Sequence, residues 1–167
     1  MSHKVGILTV SDRASRGEYE DKAGPLMVEI LVGRTAWQVV RRGVVADEVA
    51  EIAAALRTWS DEGVHLILTT GGTGFAPRDV TPEATKAVIE RETPGIAEAL
   101  RTESLKITRH AMLSRGVAGI RGRTLIINLP GNPKAVKESL DILLPVLPHA
   151  LDLLTQTPNT ESQHRIV

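Results

Sequence analysis

Cysteine is absent from this chain of 167 residues, and aromatic residues nearly so: two tryptophans, one tyrosine and one phenylalanine make up 2% of it. Without cysteine there is no disulfide, no thiolate ligand for a metal and no cysteine nucleophile. With so few rings, a hydrophobic core has to be built mainly from valine, isoleucine, leucine and alanine. That composition suits a parallel sheet covered by helices on both faces.

Net charge is lacking as well, because 20 basic residues balance 20 acidic residues. Proteins that bind nucleic acid generally carry excess positive charge or rings on which bases stack, and this sequence has little of either. We therefore expect no nucleic-acid partner. A local anion site is still compatible with this composition, since such a site needs oriented dipoles rather than global charge.

Long hydrophobic runs are also missing. The early apolar run Val5–Val10 contains a threonine and is too short for the core of a signal peptide or for a membrane span. The sequence thus predicts no membrane association and a cytoplasmic location. We expect one domain over residues 1–155, followed by a polar C-terminal tail without periodicity over residues 156–167.

Segments that are typical of strands alternate with segments of helical periodicity. Strands are predicted at Val5–Val10, within Ala36–Val45, at Val64–Thr70, and at Ser114–Ile120 and Arg123–Asn128, the last two joined as a hairpin. Helices are predicted from Pro25, from Asp47 to about Glu62, from Thr81, from about Pro94 to Lys106, and after Asn132. This alternation predicts an α/β fold, a single-domain three-layer sandwich with a mostly parallel sheet and an antiparallel edge hairpin.

Polar residues follow the predicted strands at their carboxyl ends, where open parallel sheets bind their ligands. Ser11 and Asp12 follow the first strand, Asp47 the second, residues 71–74 and Asp79 the third, and residues 130–134 the last. Because the carboxyl ends of parallel strands share one edge of a sheet, we expect these residues to form a single composite site.

The glycine-rich loop after the third strand is a candidate for phosphate binding. Gly71, Gly72 and Gly74 permit left-handed dihedrals and a close approach of backbone N–H groups to an anion, and Thr73 adds a hydroxyl. The loop leads to a helix for which Thr81 is the predicted cap, and the positive end of that helix also favours phosphate. A tight turn could need glycine for geometry alone, but three glycines beside polar groups exceed that requirement.

A second loop repeats this arrangement. Pro130 ends a strand, Gly131 allows a close approach, and Asn132 opens a helix whose first N–H groups are free. Lys134 in the first turn opposes the usual preference for carboxylates there, and a bound anion would explain it. An ordinary Asn-Pro helix cap explains the same residues, so both interpretations stay open.

The aspartates of these loops have contrasting interpretations. A carboxylate beside a phosphate site repels the anion unless a metal lies between them, so Asp79 is predicted as a Mg²⁺ ligand rather than a turn cap. Asp47 stands where a helix cap belongs, and the pattern alone favours that structural role. Ser11 and Asp12 are also compatible with a solvated strand end.

Several common site motifs are absent. The sequence has no P-loop motif, no GxGxxG after the first strand and no GxSxG elbow, which removes the usual P-loop, dinucleotide and serine-hydrolase sites. The five histidines form no close helical pair, so a catalytic zinc site is not expected. Arg91, Arg101 and Arg109 are interpreted as solvated charges.

Four stretches form a specific combination: Ser11–Arg13, Leu68–Gly74, Pro77–Thr85 and Pro130–Pro133. Together they resemble the molybdopterin adenylyltransferase family, which includes the bacterial MogA and MoaB type proteins and the G domain of gephyrin and of its plant counterpart. The resemblance extends from Val5 to about residue 154. It implies Mg²⁺- and ATP-dependent adenylylation of molybdopterin, the dithiolene-pterin precursor of the molybdenum cofactor.

The resemblance also implies roles for individual residues. Asp47 and Asp79 match the essential catalytic and magnesium-binding aspartates, and Ser114 matches a serine near the pterin phosphate. With the loops above, we assign the binding of nucleotide or other phosphates to Gly71, Gly72, Thr73, Gly74, Pro130, Gly131, Asn132 and Lys134. The pterin side is assigned to Ser11, Asp12, Ser114 and Arg115.

Further expectations concern assembly and partners. The resemblance implies a homotrimer and allows contact with a molybdate-insertion enzyme. An alternative from another class is a non-catalytic module that binds molybdopterin, or a scaffold like gephyrin. Both aspartates are present, which favours the enzyme, because a binding module could dispense with the metal carboxylates.

Overall fold

The computed structural model describes residues 2–156, which alternate between strands and helices. The strands are β1 (Lys4–Val10), β2 (Gln38–Val45), β3 (Leu66–Thr70), β4 (Arg91–Glu92), β5 (Ala118–Arg121) and β6 (Thr124–Leu129). The helices are α1 (Asp12–Ser15), α2 (Ala23–Arg34), α3 (Val49–Asp61), α4 (Thr81–Val88), α5 (Pro94–Leu105), α6 (Pro133–Leu143) and α7 (Leu147–Thr155). A 3₁₀ helix spans Arg109–Leu113.

The strands form a six-stranded sheet in the order β2-β1-β3-β6-β5-β4. Strands β2, β1, β3 and β6 are parallel, and β5 runs antiparallel to both of its neighbours. The predicted mostly parallel α/β sheet and its antiparallel hairpin are therefore confirmed. The carboxyl ends of β1, β2, β3 and β6 consequently lie at one edge of the sheet. This is the edge at which the sequence predicts the composite site.

Alternation along the strands supplies two hydrophobic cores, one on each face of the sheet. Ile7 and Leu68 face the core that α2, α5, α6 and α7 cover, whereas Leu8 and Ile67 face the core beneath α3 and α4. All four side chains are fully buried. Burial of one such side chain stabilises the fold by about 1.5 to 3 kcal/mol, so the central strands hold both helical layers in place.

Two predicted helix caps are wrong, for the same reason. Helix α3 begins at Val49 and its cap position is Glu48, while the carboxylate of Asp47 turns away to the tip of β1. Thr81 is the first residue of α4, and its hydroxyl donates to the carbonyl oxygen of Gly71 at 2.9 Å. Tertiary contacts between strand tips thus replace the local capping bonds that the sequence suggests.

The other local predictions concern the cap at Asn132, the strand at Ser114, the C-terminal tail and membrane association. Asn132 caps α6, because its Oδ1 accepts from the backbone N of Lys134 at 2.8 Å. Ser114, expected within a strand, instead follows the 3₁₀ helix and precedes β5. Apart from Gln156, the predicted tail over residues 156–167 lies outside the described residues. Among the described helices, none combines the length and the apolar character that crossing a membrane would require.

Candidate active site

The tips of β1 and β2 are joined by a reciprocal pair of aspartates. The backbone N of Asp12 donates to Asp47 Oδ2 at 2.8 Å, and the backbone N of Asp47 donates to Asp12 Oδ1 at 3.0 Å. Each carboxylate therefore fixes the backbone of the other residue. This exchange places two negative charges at the carboxyl edge of the sheet.

The glycine loop after β3 adopts backbone conformations that glycine makes possible. Gly71 has φ of 100° and Gly72 has φ of 67°. A Cβ at Gly71 would stand 2.3 Å from the carbonyl oxygen of Val10, and one at Gly72 would stand 2.3 Å from the hydroxyl oxygen of Thr81. The loop is thus pressed between the tip of β1 and the start of α4, where side chains do not fit.

The same loop leaves backbone donors available. Gly71 N donates to the carbonyl oxygen of Leu129 at 3.2 Å, but within residues 2–156 the N–H groups of Gly72, Thr73 and Gly74 donate to no acceptor. Successive backbone amides without acceptors in a loop can bind an anion. The geometry is therefore compatible with the predicted phosphate-binding role of this loop.

The second loop lies directly against the first. The hydroxyl of Thr70 donates to the carbonyl oxygen of Pro130 at 2.7 Å, and a Cβ at Gly131 would stand 3.4 Å from the Cα of Gly71. Lys134 is highly exposed, and its Nζ lies 3.9 Å from Glu138 Oε1. The structure thus brings both predicted phosphate loops together.

Asp47 and Asp79 both face the glycine loop. A Cβ at Gly72 would lie 3.1 Å from Asp47 Oδ1, and one at Gly74 would lie 2.9 Å from Asp79 Oδ2. Asp79 Oδ2 accepts from the backbone N of Ala76 at 3.0 Å. In the described part of the chain, Oδ1 of each aspartate accepts no hydrogen bond, so each offers an oxygen to a ligand.

The electrostatics of the two strand-tip aspartates differ. Partial burial raises the pKa of Asp47, and the negative charges of Asp12 and Asp79 raise it further, against the lowering effect of the Asp12 amide. The Arg78 guanidinium lowers the pKa of Asp12, with help from the amide of Asp47. Negative charge is thus concentrated around Asp47, which favours a cation at this place.

These carboxylates are a suitable donor set for Mg²⁺. No cluster of three or more acidic or histidine residues able to hold a metal exists within residues 2–156. Mg²⁺, however, usually takes one or two protein carboxylates and completes its coordination with water and substrate phosphates. The free oxygens of Asp47 and Asp79 beside an anion site therefore fit an ion that binds together with a phosphorylated substrate.

A cavity of about 490 Å³ opens on the other side of the glycine loop. Helices α5 and α6 and the 3₁₀ helix form its walls, and Thr73 and Gly74 of the glycine loop contribute to its lining. Among the predicted residues, Ser114, Pro130, Asn132 and Lys134 also line it. Its volume lies within the range of about 300 to 1,000 Å³ that is typical of small-molecule sites.

The remaining predicted residues lie elsewhere around the loop. Ser11, Gly71 and Gly131 line a smaller cavity of about 170 Å³ beyond the tip of β1. The Ser11 hydroxyl accepts from the backbone N of Ala14 at 3.1 Å and so caps α1. Asp12 lines neither cavity and is bound to Asp47 and Arg78. The predicted pterin-side residues are therefore not all in one cavity.

Arg115, predicted with Ser114 on the pterin side, lies beside the glycine loop. It does not line the larger cavity, although its neighbour Ser114 does. Its Nε donates to the carbonyl oxygen of Gly74 at 2.8 Å, its Nη2 donates to that of Asp79 at 2.6 Å, and its Nη1 pairs with Glu83. The guanidinium thus binds the glycine loop and the loop of Asp79 through their backbone carbonyl oxygens.

Sequence reasoning missed two arginines of this region. Arg101, expected to be solvated, lines the larger cavity and donates from Nη1 to the carbonyl oxygen of Gly116 at 2.8 Å. Arg78 binds the carboxylates of Asp12 and Glu48. Arg78 lies within Pro77–Thr85, one of the stretches that carry the family resemblance, and this position could have drawn attention to it. Nothing in the sequence of helix α5 distinguishes Arg101 from a solvated arginine.

Known proteins are similar to this chain in sequence and in fold. Residues 6–149 match the sequence model of a family described as "Probable molybdopterin binding domain". The chain is 45% identical over 152 residues to a molybdopterin adenylyltransferase of Helicobacter pylori, covering 90% of this chain and 86% of that protein. It is 46% identical over 165 residues to a gephyrin of Dictyostelium discoideum, covering 93% of this chain but only 23% of that protein.

The first two curated relatives are thus much longer than the match, since the chain spans 23% of one and 25% of the other. Among solved structures, the molybdopterin biosynthesis enzyme MoaB of Thermus thermophilus superposes with a TM-score of 0.87 at 55% identity. That superposition covers 93% of this chain and 98% of the Thermus chain. The chain therefore belongs to the molybdopterin adenylyltransferase family.

Proposed function

We propose that this protein adenylylates molybdopterin with ATP in molybdenum cofactor biosynthesis. One observation carries the proposal: the glycine loop contacts the carboxylates of Asp47 and Asp79 and also lines the 490 Å³ cavity. A transfer reaction between two phosphorylated molecules needs such a place, where the phosphates of both ligands meet.

The larger cavity is the proposed pterin site. Ser114 and the cationic side chains of Arg101 and Lys134 line it, and they suit a ligand that carries a phosphate. The free amides of Gly72, Thr73 and Gly74, which have no acceptor in the described chain, would bind phosphate oxygens beside the cavity. On this assignment, the nucleotide phosphates approach from the side of the aspartates.

The reaction joins the two ligands at phosphorus. An oxygen of the terminal phosphate of molybdopterin forms a bond to the α-phosphorus of ATP, the bond from that phosphorus to the bridging oxygen breaks, and pyrophosphate leaves with the electron pair. The attacking oxygen is already ionised at neutral pH, so no side chain has to remove a proton. Catalysis then depends on alignment and on neutralisation of negative charge.

The chain supplies both. The rigid glycine loop aligns phosphates through its backbone amides, and Asp47 and Asp79 would hold Mg²⁺ through their free oxygens. When bound there, the ion neutralises charge on the phosphates. Burial is the main cause of the raised pKa of Asp47, and the carboxylates of Asp12 and Asp79 raise it further. Without a cation, these carboxylates would repel an added polyphosphate.

Incubation of the protein with molybdopterin, ATP and Mg²⁺ tests the proposal. An adenylyltransferase releases pyrophosphate and forms adenylylated pterin in equal amounts. The alternative, a non-catalytic binding or scaffold module, retains the pterin and releases no pyrophosphate. Retention of pterin without release at saturating ATP would therefore contradict the proposed activity while leaving the binding site intact.

The proposal also includes the assembly, the location and the partner of the protein. We expect a homotrimer in the cytoplasm, with transient contact to a molybdate-insertion enzyme that receives the product. Light scattering on the purified protein determines the mass of the assembly. A monomer at micromolar concentration that still releases pyrophosphate would exclude an essential role of the trimer in catalysis.

A further inference from the structure

Arg78 connects the loop that carries Asp79 with the strand tips that carry Asp47. Its Nε donates to Asp12 Oδ2 at 2.5 Å. Its Nη2 lies within hydrogen-bond distance of Asp12 Oδ1 at 3.1 Å, Glu48 Oε1 at 2.7 Å and the backbone carbonyl oxygen of Asp47 at 3.2 Å. The residue adjacent to one aspartate in the chain thus binds the backbone of the other.

These contacts join Arg78, Asp12 and Asp47 in one hydrogen-bonded group. Asp12 is itself locked to Asp47 by the reciprocal amide bonds, so the guanidinium of Arg78 binds a pair whose geometry is already fixed. On the opposite side, Arg115 holds the carbonyl oxygen of Asp79 at 2.6 Å. Arg78 therefore ties the loop of Asp79 directly to the residues around Asp47, while Arg115 ties the same loop to Gly74.

Global stability does not account for this arrangement. The side chain of Arg78 is 56% exposed, and ion pairs of exposed side chains contribute little to folding. The planar guanidinium instead provides several donors in fixed directions, which a lysine cannot reproduce. Such a device fixes the position of a loop more effectively than it adds to the free energy of unfolding.

We propose that Arg78 is a positioning residue that keeps Asp79 opposite Asp47 before any ligand binds. The catalytic consequence rests on the proposed adenylyl transfer, but the structural consequence does not. The loop therefore supplies a test without substrate or metal. Its amides at Ala76, Asp79 and Thr81 are bound to Asp79 Oδ2, the Ala76 carbonyl oxygen and the Gly72 carbonyl oxygen, respectively.

Amide hydrogen exchange of the metal-free protein is the first measurement. Arg78→Gln and Arg78→Lys should both accelerate exchange of these three amides by about 10-fold or more, because the loop opens more often, while exchange in the central strands stays unchanged. The matched control is Arg41→Gln, since Arg41 is also a partly exposed arginine, 47% exposed, with one carboxylate partner, Glu62, at 2.7 Å.

Kinetics of the same variants provide the second measurement. We expect kcat to fall about 10- to 100-fold in both Arg78 variants, with the KM for molybdopterin little changed, because the pterin cavity lies on the other side of the loop. Glu48→Gln, which removes one of the contacts of Arg78, should give a smaller loss. Arg41→Gln should keep kcat within about twofold of the wild-type value.

The outcomes separate the two proposals. Wild-type exchange of the loop amides in Arg78→Gln would overturn the positioning role, and so would faster exchange without any loss of kcat. If the wild-type protein releases no pyrophosphate, the proposed function fails, and unchanged or faster exchange still decides whether Arg78 holds the loop. Arg78→Lys retains the charge, so it remains informative if the glutamine variant does not fold.

Discussion

The two ends of the central sheet differ in how fully their polar groups are hydrogen-bonded. At the amino end, His3 is 2% exposed, its Nε2 lies 3.0 Å from Asp152 Oδ1, and its ring packs edge-on against Trp37 and His65. At the carboxyl end, Asp47, Asp79 and three consecutive backbone amides keep unused hydrogen-bonding capacity within the described chain.

This difference distinguishes structure from function. Polar groups at the amino end bind one another, as buried polar groups in a stable fold generally do. The carboxyl end places negative carboxylates beside unused amide donors, an arrangement that gains its missing partners when a phosphate and a cation bind. We therefore expect substitutions at the carboxyl end to affect activity and substitutions at the amino end to affect stability.

The largest effect is expected from the aspartates of the carboxyl end. Asp79→Asn and Asp47→Asn should each lower the rate of pyrophosphate release by about 100-fold or more, because a neutral amide binds Mg²⁺ and balances charge far less well. Circular dichroism and thermal melting should show that both variants stay folded, since neither residue lies in a core. The control is Asp61→Asn, whose side chain is 71% exposed at the end of α3.

An active Asp79→Asn protein at saturating ATP and Mg²⁺ would remove that residue from the site. Equal losses in Asp61→Asn would indicate a general effect of charge rather than a local one. Either result would weaken the contrast between the two ends of the sheet.

A second prediction concerns the backbone of the glycine loop. Gly71→Ala should destabilise the protein by about 3 kcal/mol, because its φ of 100° disfavours a side chain and the new Cβ would stand 2.3 Å from the carbonyl oxygen of Val10. Gly95→Ala is the control: nothing lies within 4 Å of its added Cβ, and it lies in helix α5. That variant should be neutral or stabilised by up to about 1 kcal/mol.

Urea unfolding monitored by tryptophan fluorescence measures both variants. A wild-type midpoint in Gly71→Ala would mean that the loop relaxes freely and is not pressed against β1. In that case the free amides of the loop would not be held in place for phosphate before it binds.

Sequence reasoning was most reliable where local pattern and tertiary structure agree. The apolar run of β3 predicted a buried strand, and Leu66 and Leu68 are fully buried in the structure. The glycines after that strand predicted left-handed dihedrals, and Gly71 and Gly72 have φ of 100° and 67°. In both cases the local sequence pattern and the backbone conformation agree.

Its errors arose where a side chain had two possible partners. Thr81 and Asp47 have the residue types and positions of helix caps, but both bind strand tips that are distant in sequence. Arg101 looks like any exposed helical arginine until α5 packs beside Gly116. Such choices depend on how elements pack, and a periodic pattern carries no information about that.

A third prediction concerns the amino end. His3→Ala should destabilise the protein by about 2 kcal/mol, because it removes a buried ring and the bond to Asp152, while pyrophosphate release by the folded protein stays within about twofold of wild type. His149→Ala, at an exposed position of α7, should change stability by less than about 0.5 kcal/mol. A large loss of activity in folded His3→Ala would show that the two ends of the sheet are coupled.

The smallest effect is expected in the pH dependence of stability. Partial burial lowers the pKa of His65, and the positive charges of His3, Lys4 and Arg123 lower it further. The folded state then binds a proton at His65 less readily than the unfolded state does. This contribution to stability is present above the usual histidine pKa of about 6.5 and is lost as pH falls through the folded value.

His65→Asn tests this sign, because an asparagine oxygen can replace Nδ1, which accepts from the backbone N of Lys4 at 3.1 Å, without titrating. Between about pH 7 and pH 5, the unfolding free energy of the wild type should fall more steeply than that of the variant, by at most about one proton in slope. Activity of the folded variant should be unchanged. Parallel pH profiles would show that His65 titrates alike in both states, and that the amino end is more open to solvent than its packing indicates.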